Sequence, residues 1–288
     1  MTQHLCCITI FVAKVAGYLQ NSFMSPSFDN PDGRSPRRRI PVLLYHRIDM
    51  EAEAPARAFC VSPQHFAEQM QWLADHGFAT IHLGHMLDYY RHSASVPAKP
   101  IVITFDDGFF CNYSRAFPIL RRHGFSATVF LACNLLRHSS TRPVEGRNSY
   151  MAWPEILTMQ EAGWEFHSHG LDHRRMTELT RDELIAEVSV SRQRLTARLS
   201  RPVEFFCYPF GQFNLNVQKF VRAAGYRGAC GGPSFDNHGP LDDYAIGRSE
   251  ILWGDSLRQF VFKIEHGLGY YYYAKKQLGK IKHRLLPA

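Results

Sequence analysis

The chain has 288 residues, of which 45% are hydrophobic and 20% are charged, and its formal net charge is +7. This composition excludes a disordered chain and predicts the buried core of a single large α/β domain. The charge is uneven, because residues 40–262 carry 22 basic and 23 acidic side chains whereas both ends are basic. A neutral body argues against a nucleic-acid cleft, and basic ends suit an anionic surface such as a membrane.

The seven cysteines form no CxxC pair and are odd in number, so no disulfide framework is expected and a reducing compartment is favoured. The apolar run at residues 5–13 is too short for a membrane span and lacks the flanking features of a signal peptide. A cytoplasmic or membrane-associated location is therefore expected, with a secreted or periplasmic location as the alternative. Residues 1–39 are expected to form a flexible or membrane-proximal lead-in.

Short apolar runs then alternate with segments of helical periodicity. The runs predicted as strands are residues 41–46, 100–107, 127–132, 164–169 and 204–211. Four helical segments end in a glycine followed by an aromatic residue, as expected where a C′ glycine returns the chain to a strand; these are Gly77, Gly124, Gly163 and Gly225. Ser62 and Thr180 are the predicted N-caps of two of the helices. Alternating strands and helices predict a mainly parallel sheet, either a barrel or doubly wound, in one domain.

Polar side chains gather at the ends of the predicted strands, where functional groups of parallel α/β folds collect. His46 ends the first run, Asp106 and Asp107 end the second, and His169 ends the fourth. Gly108 lets the chain bend, so that both carboxylates can face one pocket, one as a metal ligand and the other as a base. Taken alone, however, the Asp-Asp-Gly triplet is more typical of a helix N-cap or a turn.

Three histidines lie in the stretch HSHGLDH at residues 167–173. A turn at Gly170 could bring His173 back toward His169. Two imidazoles and one carboxylate with an open position describe a hydrolytic divalent-metal site, for which zinc is the natural occupant and cobalt, nickel or manganese are alternatives. His167 lies one step deeper on the same strand face as His169, and we interpret it as a core histidine or a neighbour that supports a ligand.

The segments TFDDG at 104–108, SHGLDH at 168–173 and YPFG at 208–211 resemble, in order and context, the polysaccharide deacetylase family, also called carbohydrate esterase family 4. Residues 41–48 and 61–78 are similar to the branch that includes the poly-N-acetylglucosamine de-N-acetylases. The resemblance implies a distorted (β/α) barrel that uses a bound metal to hydrolyse an N-acetyl or related acyl group on a sugar.

The resemblance also implies roles for the matching residues. Asp106 would be the general base, and the metal ligands would be Asp107, His169 and His173. A strand end would form the wall that binds the acetyl group, and it contains Tyr208, Pro209, Phe210 and Gly211. A backbone N–H near Tyr208 would then stabilise the oxyanion together with the metal.

The chain departs from the family pattern in four respects. Gly170 stands where Ser or Thr usually follows the first histidine, and His167 replaces a usual glycine. Cys207 occupies the place of an arginine that orients the base, and no C-terminal strand ends in the histidine that serves as acid. Because the first and last strands of a closed barrel are neighbours, we hypothesise that His46 supplies the acid and Arg248 the guanidinium. A capping or core role is the alternative for His46.

The sequence therefore predicts a metal-dependent hydrolase that removes an N-acetyl group from an N-acetylhexosamine in a polysaccharide or a lipid-linked glycan. One alternative is a deformylase, or another hydrolase of non-peptide C–N bonds, with the same site, and the other is a carbohydrate-binding protein with a decayed site. The predicted catalytic domain is residues 40–262. Residues 263–288 are predicted to form a basic aromatic tail, which either lies on a membrane surface or is a solvated helix.

Overall fold

The structure is a computed structural model that describes residues 38–50, 56–137, 149–232 and 241–267. The predicted lead-in up to residue 37 and the predicted tail from residue 268 onward lie outside the described residues. Within the described ranges, none of the helices combines the length and the apolar character that a bilayer span requires.

The strands are short, and every pairing between them is parallel. They are β1 (Val42–Tyr45), β2 (Arg47–Ile48), β3 (Cys60–Val61), β4 (Ala79–Thr80), β5 (Pro100–Phe105), β6 (Thr128–Leu131), β7 (Glu165–Ser168), β8 (Phe205–Cys207), β9 (Gly228–Cys230) and β10 (Ser249–Glu250). The main sheet has the order β10-β1-β5-β6-β7-β8-β9, with β4 on the first residues of β5, and β2 pairs with β3 separately. All five strands predicted from the sequence are thus confirmed, as β1, β5, β6, β7 and β8.

Helices connect the strands, as the alternating pattern predicts. They are α1 (Pro63–Asp75), α2 (Leu83–His92), α3 (Phe117–Arg122), α4 (Trp153–Glu161), α5 (Arg181–Ile185), α6 (Ser191–Thr196), α7 (Leu215–Ala223) and α8 (Leu257–His266). A π-helical turn, Ala186–Val190, joins α5 and α6 into one continuous helix. Ser62 and Thr180 cap α1 and α5 as predicted. The four predicted C′ glycines all have φ values between 67° and 95°, which a residue with a side chain rarely adopts.

The segment 246–250 closes the sheet on itself. Ile246 N–H donates to Ala229 O and its carbonyl accepts from Gly231 N–H, both at 2.9 Å, so the segment is hydrogen-bonded to the end of β9. Three residues later the same segment enters β10, which pairs with β1. The sheet is therefore a distorted parallel barrel, which confirms the predicted fold class.

Buried apolar side chains pack on both faces of this sheet. Leu43 and Tyr45 of β1 point outward into the larger cluster, which lies between the strands and the helices. Val42 points inward and joins a second cluster with residues of β5, β6, β8 and β9, against which α2 packs through Leu83 and Met86. Coverage of both faces explains why the strands read as nearly continuous apolar runs. Polar groups are therefore left to the strand ends.

Helix α8 runs past residue 262, the predicted end of the catalytic domain. Lys263, which was assigned to the basic tail, is fully buried; its ammonium group donates to Glu250 O at 2.9 Å and forms an ion pair with the Asp255 carboxylate. The assignment of Lys263 to a basic surface is therefore wrong. A local pattern cannot reveal this burial, because the acid that neutralises the lysine precedes the helix.

Replacing Lys263 with methionine is expected to lower the free energy of unfolding by about 3–5 kcal/mol, because Asp255 would stay buried without its cation. Urea unfolding monitored by circular dichroism measures the loss. Lys219→Met, at an exposed position of α7, is the matched control and is expected to change stability by less than about 0.5 kcal/mol. Equal, small losses in the two variants would show that the buried ion pair contributes nothing.

Candidate active site

Three strands bring polar residues to the same end of the barrel. His46 follows β1, Asp106 and Asp107 follow β5, and His169 follows β7. The loop after His169 returns His173 to the same place, since His173 Nε2 lies 3.1 Å from Asp107 Oδ1. The structure thus brings together the residues that the sequence places at separate strand ends.

Asp107, His169 and His173 present three ligand atoms that lie within 4.8 Å of one another. The Asp107 Oδ1 atom lies 3.4 Å from His169 Nε2 and 3.1 Å from His173 Nε2. Ligand atoms bound at zinc distances in a tetrahedral site are about 3.3 Å apart, so this spacing fits such an ion. Burial alone would raise the pKa of Asp107, but the two imidazoles hold it well below its usual range, which keeps the ligand ionised.

The orientation of the His169 ring gives a second test of metal binding. Its Nδ1 atom lies 2.9 Å from Cys207 O, and because a carbonyl can only accept, Nδ1 carries the proton. Without a metal, a proton on Nε2 makes the hydrogen bond that lowers the pKa of Asp107. If a metal took the place of that proton, Nε2 would present a lone pair on the side of the Asp107 carboxylate, which is itself an acceptor. Two acceptors face each other favourably only when a cation or a proton lies between them. The donor set therefore fits a divalent metal, with one ring fixed in the tautomer that ligation needs.

The backbone conformation determines the direction in which these ligands point. Asp107 and His173 have φ values of 70° and 55°, in the left-handed region that residues with side chains avoid. Gly108 follows Asp107 with φ 79°, and a Cβ atom there would lie 2.7 Å from a methyl group of Leu131. The predicted bend at Gly108 is present, and it lets consecutive aspartates face the same end of the barrel. Such strain persists where the surrounding structure enforces it, and it is common at functional sites.

Asp106 is held by a buried, bidentate ion pair with Arg248. The two guanidinium nitrogens lie 2.7 and 2.8 Å from Asp106 Oδ1 and Oδ2, and both side chains are at least 97% buried. The guanidinium group also donates to Thr104 Oγ1, Gly231 O and Cys207 Sγ. Burial would raise the pKa of Asp106, but Arg248 holds it below its usual value, so the side chain remains a carboxylate.

A second group of side chains also has metal-ligating atoms close together, namely Asp106, His169 and Cys207. In this group, however, Arg248 already contacts both the carboxylate and the sulfur atom. A guanidinium cation at that place would repel a metal ion. The arrangement therefore favours the group that contains Asp107.

The structure does not bring His167 to the metal ligands. Its ring is buried inside the barrel, 5.1 Å from the ring of Phe205, and its Nε2 atom lies 3.5 Å from Glu165 Oε2. The atom that orients His169 is instead the carbonyl oxygen of Cys207. Sharing a strand face with a ligand is not sufficient for contact, because the next inward position of the strand lies one layer deeper in the core.

His46 lies beside the two aspartates. It interacts electrostatically with Asp106 and Asp107, and among the described residues its buried Nδ1 atom has no hydrogen-bond partner. Asn112 Nδ2 donates to His46 O at 2.9 Å, which fixes the backbone at this strand end. The structure thus places His46 near both aspartates, with one ring nitrogen unpaired among the described residues.

The Tyr208 strand end is held by the barrel itself. Tyr208 is fully buried, its hydroxyl group donates to Tyr244 O at 3.1 Å, and its N–H donates to Cys230 O at 3.1 Å. The amide of Tyr208 itself is thus already paired with β9. Pro209 is also buried, and Gly211 has φ 66° in a turn where a Cβ atom would lie 2.4 Å from neighbouring backbone.

Phe210 is the most exposed residue of the predicted wall. Its side chain is 52% exposed, its φ is 59°, and its ring centroid lies 4.7 Å from that of His173. The guanidinium group of Arg175 lies 4.5 Å from the centre of the same ring. A strained, exposed aromatic residue beside a ligand forms part of the rim of the site, and only the unusual φ value distinguishes it from a core aromatic.

The parallel barrel and the Asp-Asp-His-His cluster at its strand ends agree with the similarity of this chain to known proteins. The family model of the polysaccharide deacetylases matches residues 93–229. A Bacillus subtilis protein assigned to the polysaccharide deacetylases is 25% identical over 189 residues, covering 66% of this chain and 63% of that relative. The match thus spans less than two thirds of the relative's own length.

Further relatives extend the similarity. The poly-β-1,6-N-acetyl-D-glucosamine N-deacetylase of Staphylococcus aureus strain N315 is 24% identical over 206 residues, covering 65% of this chain and 69% of that enzyme. A Streptococcus pyogenes deacetylase in complex with acetate shares the fold, with a TM-score of 0.71, 21% identity, and coverage of 80% of this chain and 99% of that one. A polysaccharide deacetylase structure from Bacillus anthracis has a TM-score of 0.67 and 25% identity, and the match covers 79% of this chain and 69% of that one. Residues 93–229, just under half of the chain, thus match the polysaccharide deacetylase family.

The Arg248–Asp106 pair is expected to be essential for stability. Arg248→Met leaves a buried carboxylate without a partner, so the free energy of unfolding should fall by about 3–5 kcal/mol. Adding Asp106→Asn should recover part of this loss, because no buried charge remains. The control is Arg227→Met, which removes a half-exposed ion pair with Asp88 and should cost about 1 kcal/mol or less. Equal losses in the two arginine variants, measured by urea unfolding, would be inconsistent with a buried pair.

Proposed function

We propose that this chain is a metal-dependent de-N-acetylase that acts on N-acetylhexosamine residues of a polysaccharide. The observation that carries the proposal is the cluster of Asp107, His169 and His173 beside an ionised Asp106. A cluster of acceptor atoms that can hold a metal, next to a separate carboxylate that can act as base, provides the groups that amide hydrolysis requires. The similarity to an enzyme named for poly-β-1,6-N-acetyl-D-glucosamine makes β-1,6-linked N-acetylglucosamine polymers the first substrates to test.

Asp107, His169 and His173 would hold a divalent metal, for which the nitrogen and oxygen donor set makes zinc the first choice. When bound, the metal would polarise the acetyl carbonyl and lower the pKa of a coordinated water. These are the two contributions that hydrolysis of an unreactive amide requires and that neutral side chains do not supply.

Asp106 would act as the general base. Arg248 binds both of its carboxylate oxygens and so fixes the plane of the group, while Asp106 Oδ2 remains 4.0 Å from His169 Nε2, on the side of the metal ligands. Because its pKa is lowered, Asp106 is a weak base that is fully ionised at neutral pH. A weak base accepts a proton efficiently only from an acidified water, so its role depends on the neighbouring metal site.

His46 would protonate the leaving amine. Cleavage of an amide releases a nitrogen that is a poor leaving group until it has gained a proton, so a second group must donate one. The unpaired Nδ1 atom of His46 and its position beside the two aspartates support this role. Because His46 lies at the end of β1, it would replace the acid that is absent from the C-terminal part of the chain.

Metal binding and base catalysis should be separable by two variants. Asp106→Asn is expected to keep stoichiometric metal, because none of the three ligands changes, and to lose acetate release by about 10²–10⁴-fold, because the base is removed. The variant also leaves Arg248 without its carboxylate, so metal and activity are measured on protein that circular dichroism shows to be folded. Asp107→Ala is expected to lose both metal and activity. Metal content is measured by mass spectrometry, and acetate and formate release are measured on β-1,6- and β-1,4-linked N-acetylglucosamine oligomers and on N-formylated sugars.

A purified wild-type protein without stoichiometric metal, and without release of acetate or formate from these substrates, would refute the enzyme and favour a carbohydrate-binding protein. Release of formate alone would establish a deformylase with the same site.

The acid role of His46 predicts a dependence on the leaving group. His46→Ala should lose about 10²–10⁴-fold in kcat/KM on N-acetylated sugar oligomers, but much less on an aryl acetate, whose phenolate leaves without a proton. Asp106→Asn should lose activity on both substrates. His65→Ala, at an exposed position of α1, serves as the control and should match the wild type. Equal losses of His46→Ala on the amide and the aryl ester would exclude His46 as the acid.

A further inference from the structure

Glu187 is a buried carboxylate that the proposed mechanism does not use. It is 98% buried and lies on the π-helical turn between α5 and α6. Its Oε2 atom accepts from Leu171 N–H at 2.6 Å, and both oxygens accept from Asp172 N–H at 3.1 and 3.2 Å. Among the described residues, no Lys, Arg or His nitrogen lies within 4.0 Å of the carboxylate. Its hydrogen bonds therefore all go to the loop between His169 and His173.

The other backbone groups of this loop have partners as well. Gly170 O accepts from Cys133 N–H at 3.2 Å, and Leu171 O accepts from Asn134 N–H at 2.9 Å. Gly170 N–H donates to Ser168 Oγ at 3.2 Å. The N–H groups of Leu171 and Asp172 both donate to Glu187. The carboxylate thus fixes the path of the chain between the two imidazole ligands.

The position of Glu187 explains the glycine at residue 170, where the family pattern has Ser or Thr. A Cβ atom on Gly170 would lie 2.7 Å from Glu187 Oε2, and φ is 85°. A Ser or Thr hydroxyl at such a position commonly accepts from a backbone N–H two residues later, which here is that of Asp172. In this chain the Glu187 carboxylate makes that hydrogen bond from another element.

We propose that Glu187 is a positioning residue for the metal site, and that it makes the hydrogen bond that a Ser or Thr hydroxyl at residue 170 would otherwise make. By binding the loop at Leu171 and Asp172, it holds His173 in its left-handed conformation, where Nε2 faces Asp107. Without Glu187 the loop has to become ordered when metal binds, and the cost appears as weaker affinity. The inference rests on the proposed metal dependence, since it concerns the residues that would hold the ion.

The conservative variant Glu187→Gln tests the proposal. The amide keeps one acceptor but turns an NH₂ group toward a backbone N–H, so the loop loses part of its support. Zinc affinity, measured by competition with a chromophoric chelator, should fall by about 10–100-fold, as is typical when a group that supports ligands is altered. Acetate release should recover at saturating zinc, and the absorption spectrum of the cobalt-loaded protein should change. Glu178→Gln, an exposed position in the segment before α5, should leave all three readouts unchanged.

A second pair of variants addresses the same contact without removing the carboxylate, and it decides the question if Glu187→Gln fails to fold. Gly170→Ala pushes a methyl group against Glu187 Oε2 and should weaken zinc binding. Gly163→Ala imposes similar strain at φ 95°, but no atom lies within 4 Å of its Cβ position, so zinc affinity should be unchanged.

The possible results separate this inference from the proposed function. A wild-type protein that binds no zinc would overturn the proposed function itself. Wild-type protein that binds zinc, with the affinities of Glu187→Gln and Gly170→Ala within twofold of their controls and an unaltered cobalt spectrum, would overturn the role of Glu187 alone.

Discussion

The buried ion pair between Arg248 and Asp106 is the contact on which the site depends. Arg248 lies on the segment that joins β9 to β1, whereas Asp106 follows β5 in the middle of the sheet, so the pair forms only when the barrel is closed. Each charge would be costly to bury alone, and together they satisfy each other through two hydrogen bonds. When the barrel closes, Arg248 therefore also places an ionised carboxylate, Asp106, beside the metal ligands.

Two departures from the family pattern have counterparts elsewhere in the fold. Cys207 stands in place of an arginine, and the guanidinium that binds Asp106 comes instead from Arg248, on a neighbouring segment of the closed barrel. Gly170 stands in place of a hydroxyl residue, and a carboxylate on the helix behind the loop binds the backbone there. In both cases a functional group occupies the required place in space although it comes from a distant part of the chain. A parallel barrel permits this because its strand ends and connecting loops converge.

Local sequence patterns predict much of this protein. Alternating apolar runs, cap glycines and strand-end polar residues are each signalled within a few positions, and the meeting of parallel strand ends brings His169 and His173 to the aspartates. The errors concern contacts between distant residues. The depth of His167, which packs against Phe205 of β8, and the burial of Lys263 each depend on a partner from another element. Spacing along the chain contains no information about such partners.

Two overlapping groups of side chains at this end of the barrel have the atoms to hold a metal, and His169 belongs to both. X-ray absorption at the zinc edge of the protein loaded with one equivalent of zinc distinguishes them. If Asp107, His169 and His173 bind the ion, the spectrum will show two imidazoles and oxygen ligands at about 2.0–2.2 Å, with no sulfur. A zinc–sulfur distance of about 2.3 Å would place the metal on Cys207 and contradict the assignment of Asp106 as the free base.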